Sequence, residues 1–197
     1  MHIKILCTLG PASLKKGVIG RLEDLGVDLF RLNLSHTRIE DLENQINFVR
    51  STTNVPLCLD TEGAQIRTGI LQGGSFKLEE NDIVNIPKKI VKGIKSKFNL
   101  YPENIVDELN VGDILSIDFN SALLQVISKN YSGTNQLRVL IPGVIGSNKA
   151  VTVNRDVPLK SITHKDLSSI ELGITKDVNH FALSFANNSK DVENFRK

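Results

Sequence analysis

Three short clusters of the chain hold side chains that could act together on an anion. They are Thr8-Leu9-Gly10-Pro11-Ala12-Ser13, Arg31-Leu32-Asn33-Leu34-Ser35-His36 and Leu59-Asp60-Thr61-Glu62-Gly63-Ala64-Gln65-Ile66-Arg67-Thr68-Gly69. Arg31 and Arg67 can each present a planar fork to phosphate oxygens. Asn33, Ser35, Asp60 and the carbonyl of Thr61 are hard oxygen donors of the kind that hold an alkali or divalent cation. A phosphate ligand with a monovalent cation beside it would use both sets. No cluster of thiols and imidazoles offers zinc chemistry. The same residues admit a purely structural reading, in which Arg31 and Arg67 are solvated strand ends, Asp60 and Ser35 cap helices, and Asn33 ends a strand.

The elements that must position these clusters follow from hydrophobic period. Ile3 to Thr8 is a continuous apolar run suited to a strand buried on both faces, and Leu14, Val18, Ile19, Leu22 and Leu25 follow at helical spacing. Leu29 to Asn33 is strand-like again, and Thr37-Arg38-Ile39-Glu40 has the spacing of a capping box before Ile39, Leu42, Ile46 and Val49. Val55 to Asp60 predicts a third buried strand. The resulting βαβαβ order implies parallel strands with right-handed crossovers, and each cluster falls at the carboxyl end of a strand, where such sheets gather ligands.

From Thr68 the texture changes. Gly69, Gly73, Gly74, Gly112, Gly133, Gly143 and Gly146 punctuate short runs such as Asp82 to Ile86, Asp113 to Ile117, Leu123 to Ile127 and Leu137 to Ile141, which predicts a small all-β domain. After Val157 the first texture returns. Thr163-His164-Lys165-Asp166 has cap spacing before Leu167, Ile170 and Leu172, Phe181 to Phe185 predicts a strand, and Ser189 is placed to cap a last helical turn. The expected domains are an α/β body of residues 1–67 and 156–197 with an all-β insertion at 68–155.

Composition narrows the function classes. The chain has 197 residues, 40% hydrophobic and 23% charged, which excludes a disordered or fibrous protein. A formal net charge of +2 provides no basic stripe for nucleic acid. No run reaches the roughly 18 to 20 apolar residues of a membrane span, and the start, Met1-His2-Ile3-Lys4-Ile5-Leu6-Cys7, is too short in apolar core for a secretory signal. No nucleic-acid or membrane partner is expected, and the expected location is cytoplasmic. Cys7 and Cys58 lie in apolar runs and read as reduced core residues.

The three clusters closely resemble the N-terminal half of pyruvate kinase, whose corresponding stretches are Thr-x-Gly-Pro-Ala-Ser, Arg-x-Asn-x-Ser-His and Asp-Thr-x-Gly-x-x-Ile-Arg-Thr-Gly. The resemblance continues through Tyr101 to Asp118, Leu124-Gln125-Val126, Asn148-Lys149, Thr163-His164-Lys165-Asp166, Gly173, Asp177-Val178, Ser184-Phe185 and Asp191-Val192, and so covers nearly the whole chain in order. It implies a partial (β/α)8 TIM-type barrel of about four βα units with an inserted small all-β barrel domain, and phosphoryl transfer from phosphoenolpyruvate to ADP. It implies Arg31 and Arg67 as substrate and phosphate contacts, Arg67, Lys149 and His36 beside ADP or ATP, and Asn33, Ser35, Asp60 and Thr61 as potassium ligands. Positive charge suits that chemistry, because the reaction brings anions together.

The family's barrel is a (β/α)8 structure of roughly 250 residues, so the α/β segments here correspond to about half of it. The lysine that helps protonate the enolate, and the glutamate and aspartate that bind magnesium, are implied on later strands, beyond Lys197. The chain alone is therefore expected to lack a complete magnesium site and to be inactive, with its free sheet edges seeking a second copy or a complementary half-barrel. Other residues depart from the family pattern. Glu62 stands where lysine is usual, Ala64 and Gln65 replace Pro and Glu, Phe119-Asn120 replaces Asp-Gly, Ala150 and Thr152 replace Gly and Asn, and Asn187 replaces an arginine. At about 6 Å and an effective dielectric near 20, each unit of charge is worth roughly 3 kcal/mol, so Glu62 is expected to weaken phosphate binding. The alternative function is a noncatalytic nucleotide- or phosphoenolpyruvate-binding, regulatory or assembly module.

Overall fold

The structure, a computed structural model, describes residues 3–130 and 133–197. Met1 and His2, part of the stretch read above for a leader, lie outside them. The chain divides into two compact units, residues 1–64 with 160–197, and residues 65–159. Residues 65–67 and 156–159, expected in the α/β body, belong to the inserted unit, because Ile66–Thr68 is hydrogen-bonded into that unit's sheet.

The first unit opens with β1 (Leu6–Leu9), α1 (Lys16–Asp24), β2 (Leu29–Asn33), α2 (Ile39–Thr52) and β3 (Leu57–Asp60). Strand β2 has the bounds its alternation predicts. Strand β1 does not have two buried faces: Ile5 and Leu6 are exposed and only Leu9 is fully buried. The reason is position, since β1 pairs with β2 alone and forms a sheet edge. Cys7, expected in the core, is half-buried for the same reason, whereas Cys58 on the inner strand is buried and burial pushes its thiol pKa up. The predicted capping box of α2 does not form. Its N-cap is Arg38 with no side-chain cap, because Thr37 spends its hydroxyl on the Asn33 carbonyl at 3.1 Å and Glu40 pairs with Arg38.

The inserted unit contains β4 (Ile66–Thr68), β5 (Ser75–Leu78), β6 (Ile83–Pro87), β7 (Leu100–Tyr101), α3 (Ile105–Glu108), β8 (Ile114–Ile117), β9 (Ala122–Asn130), β10 (Thr134–Ile141), β11 (Gly143–Gly146) and β12 (Ala150–Val153). Seven strands form one antiparallel sheet in the order β6-β10-β9-β8-β12-β4-β7, and β5 pairs with β11 beside it. The sheet nearly closes on itself. Asn85 of β6 bridges to Lys97, three residues before the start of β7, and donates its backbone N–H to the Ser96 carbonyl at 2.9 Å. Period-2 alternation accounts for the interior. Leu115, Ile117, Leu124, Val126, Leu137 and Val139 face one another in a core that also holds Phe98 and Leu100.

The chain returns to the first unit through α4 (His164–Thr175), β13 (His180–Ala182) and α5 (Ser189–Phe195). Here the predicted cap at Thr163 forms in full: its hydroxyl accepts from the Asp166 backbone and the Asp166 carboxylate accepts in return. The last helix is capped by Asn188, one residue before the expected Ser189, because Asn188 pairs reciprocally with Asp191. Strand β13 ends at Ala182, short of the predicted Phe185, since Ser184 turns toward β3 and Phe185 takes a φ of +55°. The sheet order is β1-β2-β3-β13, all parallel, with Phe30, Leu32, Leu59, Leu42, Ile46 and Ile19 buried between strands and helices.

Candidate functional site

In the first unit, β2, β3 and β13 end level with one another. Asn33 is in register with Asp60, and Asp60 with Ala182, so three carboxyl ends present their last side chains together. Arg31 lies two residues before Asn33 and shares its face of the sheet. Its Nη2 meets Asp60 Oδ2 at 3.1 Å, with the Asp60 side chain only 9% exposed. Arg31 Nε is buried and has no hydrogen-bond partner among the described residues. An unused buried guanidinium donor fits an anion, since such groups are otherwise paired.

The oxygen donors expected around a cation occupy the same strand ends. Asn33 Oδ1 accepts from the Ser35 backbone at 2.9 Å, and the buried Asp60 accepts from Ser184 Oγ at 2.9 Å through Oδ1. Thr61 is buried and locked by two bonds, its N–H to the Ala182 carbonyl at 3.0 Å and its hydroxyl accepting from the Ser184 N–H at 2.9 Å. Asn33 and Asp60 are the last residues of β2 and β3, and Asp60 caps none of the helices. Amide, hydroxyl, carboxylate and carbonyl oxygens are the donor chemistry of a hard cation, so the donor types present fit one. Among the described residues no three His, Cys, Asp or Glu side chains cluster as a metal site. His36 is exposed in the turn after β2.

Four further residues hold this site, and motif reading did not single them out for it. Asp166, fully buried at the start of α4, accepts from the backbone N–H of Glu62 at 2.8 Å and of Gly63 at 3.2 Å as well as from Thr163 at 3.0 Å. One carboxylate therefore caps its helix and fastens the loop after β3. Ser184 ties β13 to that loop, and Thr163 and Lys165 take up Glu62. The Thr163 hydroxyl donates to Glu62 Oε1 at 2.9 Å, and Lys165 Nζ reaches Glu62 Oε2 at 3.2 Å and the Leu34 carbonyl at 2.5 Å. Glu62 is 5% exposed and already neutralised, so the net repulsion expected at this position is cancelled locally. The cap spacing of Thr163 to Asp166 announced the helix start; no sequence signal announced its second set of partners, which lie about a hundred positions away.

In the inserted unit, Arg67 lies on β4 and Lys149 just before its antiparallel neighbour β12. Arg67 of β4 is in register with Ala150 of β12, the residue after Lys149, and its Nη1 donates to the Asn148 carbonyl at 3.3 Å. Thr68 and Lys149 are cross-tied, N–H of Thr68 to O of Lys149 at 2.8 Å and N–H of Lys149 to Oγ1 of Thr68 at 2.8 Å. Lys149 Nζ pairs with Asp118 at 3.0 Å. Asp118, Phe119 and Asn120 all have positive φ, so the turn that departs from Asp-Gly keeps a backbone glycine would adopt without strain. The structure thus places Arg31, Asn33, Ser35, Asp60, Thr61 and His36 on one unit, and Arg67 and Lys149 on the other.

All 197 residues match the family model described as pyruvate kinase, barrel domain. Curated relatives include a pyruvate kinase of Staphylococcus epidermidis, 32% identical, and one of Staphylococcus aureus, 31% identical, each over 201 residues. Both matches cover 98% of this chain but 34% of the relative, so the chain spans about a third of their length. Among solved structures, the crystal structure of Cryptosporidium parvum pyruvate kinase aligns with a TM-score of 0.89 at 27% identity, over 98% of this chain and 42% of that one.

Proposed function

From the premise that this chain belongs to the pyruvate kinase family, we propose that it serves phosphoryl transfer between phosphoenolpyruvate and ADP by holding the substrate phosphate and its counter-cation. Its four parallel strands form the first part of a (β/α)8 barrel, and the antiparallel unit is the domain inserted after the third strand. The observation that carries the proposal is Arg31, whose buried Nε awaits an acceptor while Nη2 is oriented by Asp60.

In this reading Arg31 and Arg67 hold phosphate oxygens, and Lys149 and His36 stand beside the nucleotide. Asn33, Ser35, Asp60 and Thr61 would hold potassium, which when bound supplies positive charge against the anionic substrates. The chain's own groups do the orienting. Asp60 fixes the guanidinium, Ser184 and Asp166 fix the end of β3 and the loop after it, which carry Asp60 and Thr61, and neither needs to move when an anion arrives. Magnesium and the enolate's proton donor belong to the later strands that the family resemblance implies. The 197 residues alone bind without turning over, in the cytoplasm, with a second copy or a complementary half covering the sheet edges at β1 and β13.

Calorimetric titration with phosphoenolpyruvate, in potassium and again in a choline salt, tests this. Potassium-dependent binding that Arg31→Met abolishes supports the proposal; absence of binding at millimolar ligand overturns it. A second reading is a binding or regulatory module without transfer, in which Glu62, paired with Lys165, stands where the family usually has lysine. Pyruvate formation on adding a C-terminal half would decide against it.

A further inference from the structure

The connection between β6 and β7 concentrates charge that the average conceals. Residues 88–97 read Lys-Lys-Ile-Val-Lys-Gly-Ile-Lys-Ser-Lys, five lysines without one acidic residue, in a chain whose formal net charge is +2. Such a loop would ordinarily be a loose solvated crossing, but this one is fastened at two buried points. The buried Asn99 donates through Nδ2 to the carbonyls of Pro87 and Lys89, both at 2.8 Å, and accepts from the Val91 N–H at 2.5 Å. Gly93 is buried too, donating to the Ile70 carbonyl at 2.9 Å and accepting from Gln72 at 2.7 Å. A Cβ there would lie 2.6 Å from Leu71 Cδ2 and 2.9 Å from Phe98 Cβ. Ile94 and Lys97 then close a small turn by exchanging both backbone hydrogen bonds, at 2.8 and 2.9 Å.

What these fixings hold outward is a mixture of ammonium and branched aliphatic groups. Ile90 is 70% and Ile94 46% exposed. Lys88 pairs with Asp107 and Lys95 with Asp82, whereas the ammonium groups of Lys89, Lys92 and Lys97 have no ion pair among the described residues. Both isoleucines are outside the buried core of the unit and lie between the lysines in sequence.

We propose that this loop docks the protein onto an anionic lipid surface. Free lysines are drawn to acidic headgroups within a Debye length, and aliphatic side chains between them enter the boundary of headgroups and acyl chains. The composition selects this occupant. A nucleic acid calls for arginine forks and aromatic platforms for its bases, and the loop has neither. An acidic protein segment would use the lysines and leave Ile90 in water. Peripheral docking of this kind requires no membrane-spanning helix, and no helix among the described residues is long and apolar enough to be one. The ordering of the loop by Asn99 and Gly93 means little conformational entropy is lost on docking.

The chain has no tryptophan, so Ile90→Trp in the full chain creates a single indole reporter. Titrated with phosphatidylcholine vesicles containing phosphatidylglycerol at low salt, its emission should shift to the blue and saturate, and the unmodified chain should sediment with the same vesicles. Pure phosphatidylcholine should give neither. Replacing Lys89, Lys92 and Lys97 together by Gln should lower the partition coefficient roughly a hundredfold, from about fivefold per lysine. Ile90→Ser should lower it with the charge unchanged. All these side chains are exposed, and an unchanged circular dichroism spectrum confirms the fold. Equal binding by heparin or polyglutamate with no blue shift on vesicles, an unaltered partition in Ile90→Ser, or no sedimentation at low salt would each overturn the proposal.

Discussion

Arg31 Nη2 lies 3.1 Å from Asp60 Oδ2, so the group proposed for the substrate phosphate and a group proposed for the cation are one ion pair across adjacent strands. The pairing is possible because β2 and β3 run parallel in the register that sets Asn33 opposite Asp60. In the proposed function, anion and cation binding at this end of the sheet would therefore be coupled through a shared pair of side chains.

That coupling has a stability signature. Asp60→Asn leaves a partly buried guanidinium without its counter-charge and takes a charged acceptor from Ser184 Oγ. A loss of about 1–3 kcal/mol is expected, read as a lower urea midpoint at unchanged slope. A midpoint equal to that of the parent chain would mean the pair contributes nothing to the fold.

Lys165→Met should cost more than a surface ion pair. Its ammonium is 27% exposed, but Glu62 is nearly buried, and removing the cation takes the paired positive charge from that carboxylate while the Thr163 hydroxyl still donates to it. We expect about 2–3 kcal/mol, with part recovered in the double variant Glu62→Gln/Lys165→Met. Additive effects of the two substitutions in a double-mutant cycle would refute the coupling.

Gly63 has a φ of +66°, and a Cβ there would lie 2.2 Å from the Ser184 carbonyl oxygen. Both conditions penalise alanine, so Gly63→Ala should lose more than about 2 kcal/mol and loosen the loop that carries Asp60 and Thr61. Gly10, where nothing stands within 4 Å of an added Cβ, supplies the comparison. Gly10→Ala should unfold near the parent's denaturant midpoint, and equal losses at both sites would show that the close approach to Ser184 is not the cause.

The inserted unit should respond to acid through Asp113. Arg155 Nε and Nη2 grip its carboxylate at 2.8 and 2.9 Å, and this charged hydrogen bonding holds the carboxyl pKa below the usual range against the opposing effect of desolvation. Because the folded pKa is the lower one, the stabilisation is complete above the unfolded value of about 3.9 and is lost as pH falls through the folded value. The stability gap between the parent chain and Asp113→Asn should be constant near neutrality and close below about pH 4. A gap that widens on acidification would contradict this assignment.

Period and cap spacing carried much of the architecture in the sequence. The alternation of Leu29 to Asn33 marked β2, and Thr163 with Asp166 marked the start of α4. What residue pattern could not convey was competition for the same groups, by neighbours as well as by distant residues. Thr37 and Glu40 have a capping-box spacing, yet the Asn33 carbonyl and Arg38 take them first. Leu6 is apolar enough for an interior strand and lies half in water because β1 has one neighbour. At the site, the motif residues were legible by type, whereas the partnership of Glu62 with Lys165 depends on how α4 meets the loop after β3. Charge reversal at one position says nothing of a lysine a hundred residues later.

The first and last long-range partners of the inserted unit, β4 and β12, are hydrogen-bonded to each other, Ile66 opposite Val151. Antiparallel neighbours stand about 5 Å apart, so the first and last strands of the excursion lie side by side, and only the few residues after Val153 separate that point from the unit's end. For the parallel sheet, the closure entropy is then that of a short turn and not of a long one. Replacing the excursion by a few glycines should leave β1, β2, β3 and β13 able to assemble, and insertions far out on it should be felt there hardly at all.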